Sequence, residues 1–182
     1  MIFKTEELLE ELKQYVNSHI HFAESLDTYS EIDLQKKKEV KSWSIIECLE
    51  HLNRYADFYN RELKKQLDKS KLSKSEVFKP SYFGNKFALE MLPKEGMKTM
   101  KTFKTKNPIY SKLITKEVVD RFLNSQIELL RLLELAKQKD LTKIKTATTL
   151  PLLRFRLGDT FRFVIYHNER HVVQAKKMLI KL

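Results

Sequence analysis

The sequence has few of the residues that interrupt helices: three Gly and four Pro in 182 residues. Long stretches rich in Leu, Lys, Glu, Ile and Phe make up much of the rest, which is typical of a mostly helical protein. With 42% hydrophobic residues, a chain of this length can bury one good core but hardly two. We therefore expect a single all-α domain over residues 1–182.

Cysteine is almost absent, since Cys48 is the only one. A single thiol forms no internal disulfide and no thiolate cluster for a metal, and it suits the reducing cytoplasm, where we expect the protein to reside. Cys48 lies one turn before His51. It could touch a metal there, but a small buried hydrophobic side chain is the simpler interpretation.

Long apolar runs are also missing, because no segment reaches the roughly 20 residues that are needed to span a bilayer. The first residues, MIFKTEELLEEL, include acidic side chains where a signal peptide would need an apolar run. These features predict a soluble protein with no membrane partner.

Acidic residues are in deficit: 35 Lys and Arg against 24 Asp and Glu give a formal net charge of +11. Anionic partners, including nucleic acid, therefore have to be considered. Most of the excess is lysine, concentrated in segments such as KKKEVK and KEGMKTMKTFKTK. A solvated surface explains this pattern better than a nucleic-acid site, which would use more arginine with interleaved aromatic residues.

Four segments carry apolar residues at steps of three and four, the spacing of amphipathic helices. They cover residues 5–26, 44–67, 115–139 and 160–181, and the last one starts at residue 160 or one or two residues earlier. Four helices of this length predict a four-helix bundle, although not the order in which the helices pack.

Residues near the predicted helix starts support these boundaries. Ser42 or Ser44 can cap the second helix, and Glu47 stands three residues after Ser44, as a capping box requires. Thr115 is the expected cap of the third helix. Trp43, beside the second helix start, is most simply a packing anchor.

A long irregular insert, residues 69–108, separates the second and third predicted helices. Proline and glycine punctuate it, and its segment YFGNKFALEML is expected to form one or two helical turns. A connection of this length acts either as a lid over a functional site or as a simple crossover, and both interpretations stay open.

Three histidines carry the chemistry. His167 and His171 are four residues apart, which places both imidazoles on one face of a helix, beside its apolar stripe. His51 borders the apolar stripe of the second helix and is the expected third ligand. Three neutral imidazoles suit zinc, nickel, copper or iron, and they leave coordination positions open for water or a thiol. Surface or hydrogen-bonded core histidines are the ordinary alternative.

Other polar residues near these histidines are weaker candidates. Glu47 and Glu50 are the candidates for a general base, and Glu169 and Gln174 could orient an imidazole or a bound water. Solvated helix charges and an ordinary boundary glutamine are the alternatives. Two further histidines, at positions 19 and 21, point to different sides of a helix, and we do not expect them to be ligands.

Two short patterns give a resemblance to a known family. WSIIECLEHL, residues 43–52, and HNERHVVQ, residues 167–174, resemble the DinB/YfiT-like superfamily. In that superfamily, a histidine of the second helix and two histidines of the last helix form a metal triad, and the matching positions are His51, His167 and His171. The resemblance covers most of residues 42–182, whereas the first helix fits only by its length and amphipathicity.

The resemblance implies a four-helix bundle with a divalent metal ion, zinc above nickel or iron, often as a homodimer. It does not name one reaction. The first hypothesis is a metal-dependent S-transferase that uses a low-molecular-weight thiol and a small-molecule substrate. A metal-dependent hydrolase and a non-catalytic metal-binding or interaction module are the alternatives, so whether the protein is an enzyme stays open.

Overall fold

The computed structural model describes residues 1–40, 42–94, 102–111 and 114–179. Its helices are α1 (Thr5–Ser25), α2 (Glu31–Gln35), α3 (Ile45–Lys69), α4 (Tyr82–Met91), α5 (Glu117–Ala136) and α6 (Leu157–Leu179). Two short antiparallel pairs join β1 (Phe3–Lys4) to β2 (Val77–Phe78) and β3 (Lys145–Ala147) to β4 (Arg154–Arg156). The four long helices, α1, α3, α5 and α6, confirm the predicted all-α bundle.

The order of the helices in the bundle differs from their order in the chain. α1 and α3 stand at opposite corners, and each packs against both α5 and α6. Asn53 and Asn60 of α3 donate to the backbone carbonyls of Val118 and Ser125, so α3 and α5 run parallel. α6 runs antiparallel to α3, as the contacts of the site described below require.

The parallel arrangement of α3 and α5 explains the long insert. The chain leaves α3 at one end of the bundle. It must then return along the full length of α3, roughly 37 Å for 25 residues, before α5 can begin. On the way, α4 packs along α6, and Ser81 caps α4 by accepting from the backbone N–H of Gly84. The expectation of one or two turns in this segment was too short, because α4 has ten residues.

The capping box at the start of α3 is confirmed. The hydroxyl of Ser44 accepts from the N–H of Glu47, and the Glu47 carboxylate accepts from the N–H of Ser44. Thr115, in contrast, does not cap α5, whose first residue is Glu117 and whose N-cap, Lys116, makes no side-chain capping bond. A backbone turn that begins at the Thr115 carbonyl leads into the helix instead.

The ends of the last two helices also differ from expectation. α5 ends at Ala136 and not near residue 139, because Lys139 pairs with Ser73 of the insert in an isolated β-bridge. α6 begins at Leu157, since β4 leads directly into it. The predicted end of this helix near residue 181 lies outside the described residues, as do residues 95–101 of the insert.

Two apolar clusters fill the bundle. The larger one includes Tyr59 and Phe161 and lies toward the end where α6 begins. The smaller one includes Cys48 and Phe122 and lies toward the end where α3 begins. Aromatic residues that pack on one or the other cluster also contact His51, so the histidine site lies where the two clusters meet.

Candidate metal centre

The antiparallel contact of α3 with α6 brings the three histidines together. His51 lies in the second turn of α3, and His167 and His171 lie on the face of α6 opposite it. The Nε2 atoms of His51 and His167 are 3.2 Å apart, and one ligand atom from each of the three rings lies within 4.8 Å of the others. The predicted convergence is confirmed, and these residues form a group that can hold a metal ion.

The three imidazoles are neutral at neutral pH. His51 and His167 are buried, and burial is the main cause that lowers the pKa of His51 to about 4 and the pKa of His171 to about 3. Burial, with the nearby rings of the other two, also holds the pKa of His167 well below its usual range. Neutral imidazole is the form that binds a metal, so little competition from protons remains near pH 7.

Hydrogen bonds fix the ring orientations. Nδ1 of His51 donates to the backbone carbonyl of Lys106 at 2.8 Å, and Nδ1 of His171 donates to Oε1 of Gln174 at 3.1 Å. Because the two accepting atoms are oxygens that carry no proton, the protons sit on Nδ1, and the Nε2 atoms of both rings are left unprotonated. In the metal-free state His167 then donates from Nε2 to His51, and that proton has to leave Nε2 when an ion binds.

Aromatic rings form the wall of the site. The centre of the Trp43 ring lies 4.8 Å from the centre of the His51 ring and 5.6 Å from the centre of the His171 ring. Tyr55 packs 5.0 Å from His51 and 4.8 Å from His167. Trp43 is therefore a packing anchor, as predicted, and what it packs on is the histidine cluster itself.

The two candidate general bases have structural partners. One carboxylate oxygen of Glu47 accepts from the N–H of Ser44 in the capping box, and Glu50 forms ion pairs with Arg54 at 2.8 Å and Arg121 at 3.0 Å. These contacts hold both carboxylates on the start of α3. A catalytic role for either one stays a prediction.

Glu169 lies between His167 and His171 in sequence, but its carboxylate contacts His19 of α1 at 2.8 Å. The hydrogen bond from His19 is the main cause that lowers the pKa of Glu169. His19 is fully buried in this α1–α6 contact, whereas His21 is exposed. Neither belongs to the group formed by His51, His167 and His171.

Cys48 is fully buried in the smaller apolar cluster, where desolvation raises the pKa of its thiol, so the interpretation as a small buried hydrophobic side chain is confirmed.

The sequence did not predict that Lys106 contacts His51. Lys106 makes this contact through its backbone carbonyl, and a backbone carbonyl has no signature in a sequence. Its place beside His51 depends on the path of the whole insert.

A four-helix bundle with three neutral imidazoles facing each other across two helices fits the class of metal-binding helical bundles. The sequence model of the DinB superfamily matches residues 6–175, nearly the whole chain. The chain therefore belongs to the DinB superfamily. No curated protein and no solved structure gives a significant match. Within the described residues, none of the helices combines the length and the apolarity that a membrane span requires.

Proposed function

We propose that this protein is a metal-dependent S-transferase, in which a divalent ion held by His51, His167 and His171 activates a low-molecular-weight thiol for attack on a small electrophile. The observation that carries the proposal is the convergence of three neutral imidazoles from two helices, in a chain of the DinB superfamily. The thiol and the transfer reaction come from the family resemblance.

We propose zinc as the ion, because three neutral imidazoles that leave one position open are a typical zinc donor set. A tetrahedral zinc ion with Zn–N distances of about 2.0–2.1 Å places neighbouring nitrogens about 3.3 Å apart. The Nε2 atoms of His51 and His167 are 3.2 Å apart, close to this value. Nickel and iron also accept imidazole ligands. Three protein ligands leave a further position for the thiol.

A divalent ion at this site would lower the pKa of a coordinated thiol and so supply a thiolate near neutral pH. The chain itself would bind the ion, keep the ligands neutral by burial and orient His51 and His171 through their Nδ1 partners. Lys106 places its ammonium group 5.3 Å from the centre of the Tyr55 ring, at the edge of the site. This cation would favour an anionic thiol or substrate.

The first test is metal content. Wild-type protein, purified without chelators and then loaded with zinc, should hold about one ion per chain by elemental analysis. His51→Ala, His167→Ala and His171→Ala should each lose most of it. His21→Ala is the matched control, because His21 is exposed and outside the cluster, and it should retain the wild-type amount.

The second test is turnover with low-molecular-weight thiols and a chromogenic haloarene. In the expected reaction the sulfur loses its proton, the S–C bond forms and halide leaves. Activity should need both the metal and the thiol, and His51→Ala should abolish it. Ester hydrolysis without a thiol would favour the hydrolase. Stoichiometric metal without either activity would favour the non-catalytic module.

We also propose that the protein is a cytoplasmic homodimer, on the basis of the same family resemblance and the single cysteine. Light scattering coupled to size-exclusion chromatography tests the oligomeric state. A mass of 21.7 kDa for the species in solution would identify a monomer and contradict this part of the proposal.

A further inference from the structure

Arg54 connects the insert to the helix that carries His51. Its guanidinium group donates from Nε to Glu50 at 2.8 Å, and the other end donates to the carbonyl of Asn107 at 3.0 Å and that of Thr105 at 3.3 Å. A further bond joins it to the hydroxyl of Ser111. One half-buried side chain thus binds three residues of a segment more than fifty positions away in sequence.

The residue between two of these partners is Lys106, whose carbonyl accepts from Nδ1 of His51. Arg54 holds the carbonyls on both sides of Lys106, and the Lys106 ammonium group donates back to the carbonyl of Arg54. The Lys106 carbonyl is therefore fixed from both flanks and from its own side chain. It is this carbonyl that places the proton of His51 on Nδ1 and leaves Nε2 unprotonated.

We propose that Arg54 is a positioning residue of the metal centre: by clamping residues 105–111 onto α3, it sets the tautomer and ring orientation of His51 without contacting the ion. The clamp requires the shape of arginine as well as its charge. A guanidinium group presents donors in a fixed fork, so Glu50 can orient one edge while the other donors reach the insert. A lysine keeps the charge and loses the fork.

The proposal gives a role to the last part of the connection between α3 and α5. Residues 105–111 form part of the site wall, because their attachment determines which nitrogen of His51 is available to an ion. Partners that orient metal-binding histidines usually change metal affinity by about 10- to 100-fold when they are removed. The expected effect on metal affinity rests on the proposed function, whereas the expected effect on the His51 tautomer does not.

The experiment compares wild type, Arg54→Ala, Arg54→Lys and Arg121→Ala. Arg121 is the matched control, because it is the other arginine paired with Glu50 and makes no described contact with residues 105–111. Nitrogen-15 NMR of the metal-free proteins at pH 8 reports the His51 tautomer. Competition with a chromophoric chelator reports zinc affinity, and the visible spectrum of the cobalt-substituted protein reports ligand geometry.

We expect wild type and Arg121→Ala to show His51 protonated at Nδ1 and equal zinc affinity within about twofold. Arg54→Ala and Arg54→Lys should show mixed tautomers, a zinc affinity lower by about 10- to 100-fold and an altered cobalt spectrum. If Arg54→Ala fails to fold, Arg54→Lys alone decides the question.

If Arg54→Lys keeps the wild-type His51 tautomer and the wild-type zinc affinity, Arg54 is not a positioning residue. Its positive charge alone would then be sufficient at this position. Absence of zinc binding in the wild type would instead contradict the proposed function. The tautomer comparison separates these two failures, since it needs no metal.

Discussion

At the scale of single residues, the hydrogen bond from His171 to Gln174 is the simplest one to remove. Gln174→Leu keeps the approximate volume and takes away the acceptor of Nδ1, so His171 can place its proton on either nitrogen. We expect zinc affinity to fall by about 10- to 100-fold while the fold is retained. Chelator competition measures the affinity, and circular dichroism checks the helical content.

The control for this change is Gln14→Leu, which makes the same substitution at an exposed position of α1. It should leave zinc affinity unchanged. Equal affinities for Gln174→Leu and wild type would show that the His171 ring is held by its packing alone, against Trp43 and the neighbouring histidines.

Also at this scale, burial of neutral imidazoles makes the stability of the metal-free protein depend on pH. His51 has a folded-state pKa of about 4, below its value of about 6.5 in an unfolded chain, so the unfolded state binds more protons between these limits. The contribution of neutral His51 to the free energy of unfolding is therefore present above about pH 6.5 and is lost as the pH falls toward 4. For His51 alone, the loss between pH 8 and pH 5 is about 2 kcal/mol.

Urea unfolding in the presence of a chelator, at intervals from pH 8 to pH 5, measures this dependence. Carboxylates contribute to it as well, so the comparison with His51→Gln isolates the histidine: the variant should lose less stability over the same range. Parallel curves for the two proteins would contradict the low pKa of His51.

At the scale of elements, the start of α3 matters most, because Trp43 and His51 both depend on where this helix begins. Ser44→Ala removes the hydroxyl that accepts from the N–H of Glu47 and should cost about 1 kcal/mol. Ser42→Ala is the control. Among the described residues its hydroxyl bonds to the backbone of Glu39, outside the helix, so the loss of stability should stay within about 0.5 kcal/mol. Urea unfolding of both variants gives the two values, and equal losses would argue against the capping box.

The elements that the sequence predicted well are those with a strong local signal. The four long helices follow from their apolar periodicity, and the start of α3 follows from Ser44 and Glu47. The start of α5 was placed wrongly at Thr115, since a capping residue type is common in loops and only the local backbone decides whether it caps. The length of α4 was underestimated, because its stability comes from packing along α6, which a local pattern does not contain.

The same distinction holds for the site. His51, His167 and His171 could be found from the spacing within α6 and the family pattern, because side-chain type and spacing determine what a ligand can be. Lys106 and Arg54 could not, because a parallel arrangement of α3 and α5 has to be known before the insert can be placed over His51.

At the scale of the whole molecule, the site joins two helices and lies between two core clusters, so an ion bound there should stabilise the entire bundle. A ligand that binds only the folded state, present at 100 times its dissociation constant, adds about 2.7 kcal/mol to the free energy of unfolding. For a chain of this size, that corresponds to a rise in melting temperature of roughly 5–10 °C.

Thermal unfolding with and without zinc measures this rise. His51→Ala breaks the connection between α3 and α6 and should melt at the same temperature in both conditions, whereas His21→Ala should respond like the wild type. Because His51 is the one residue that α3 contributes to the proposed three-histidine centre, a full response in His51→Ala would mean that zinc binds elsewhere, or to α6 alone. The three-histidine centre would then no longer account for metal binding by this bundle.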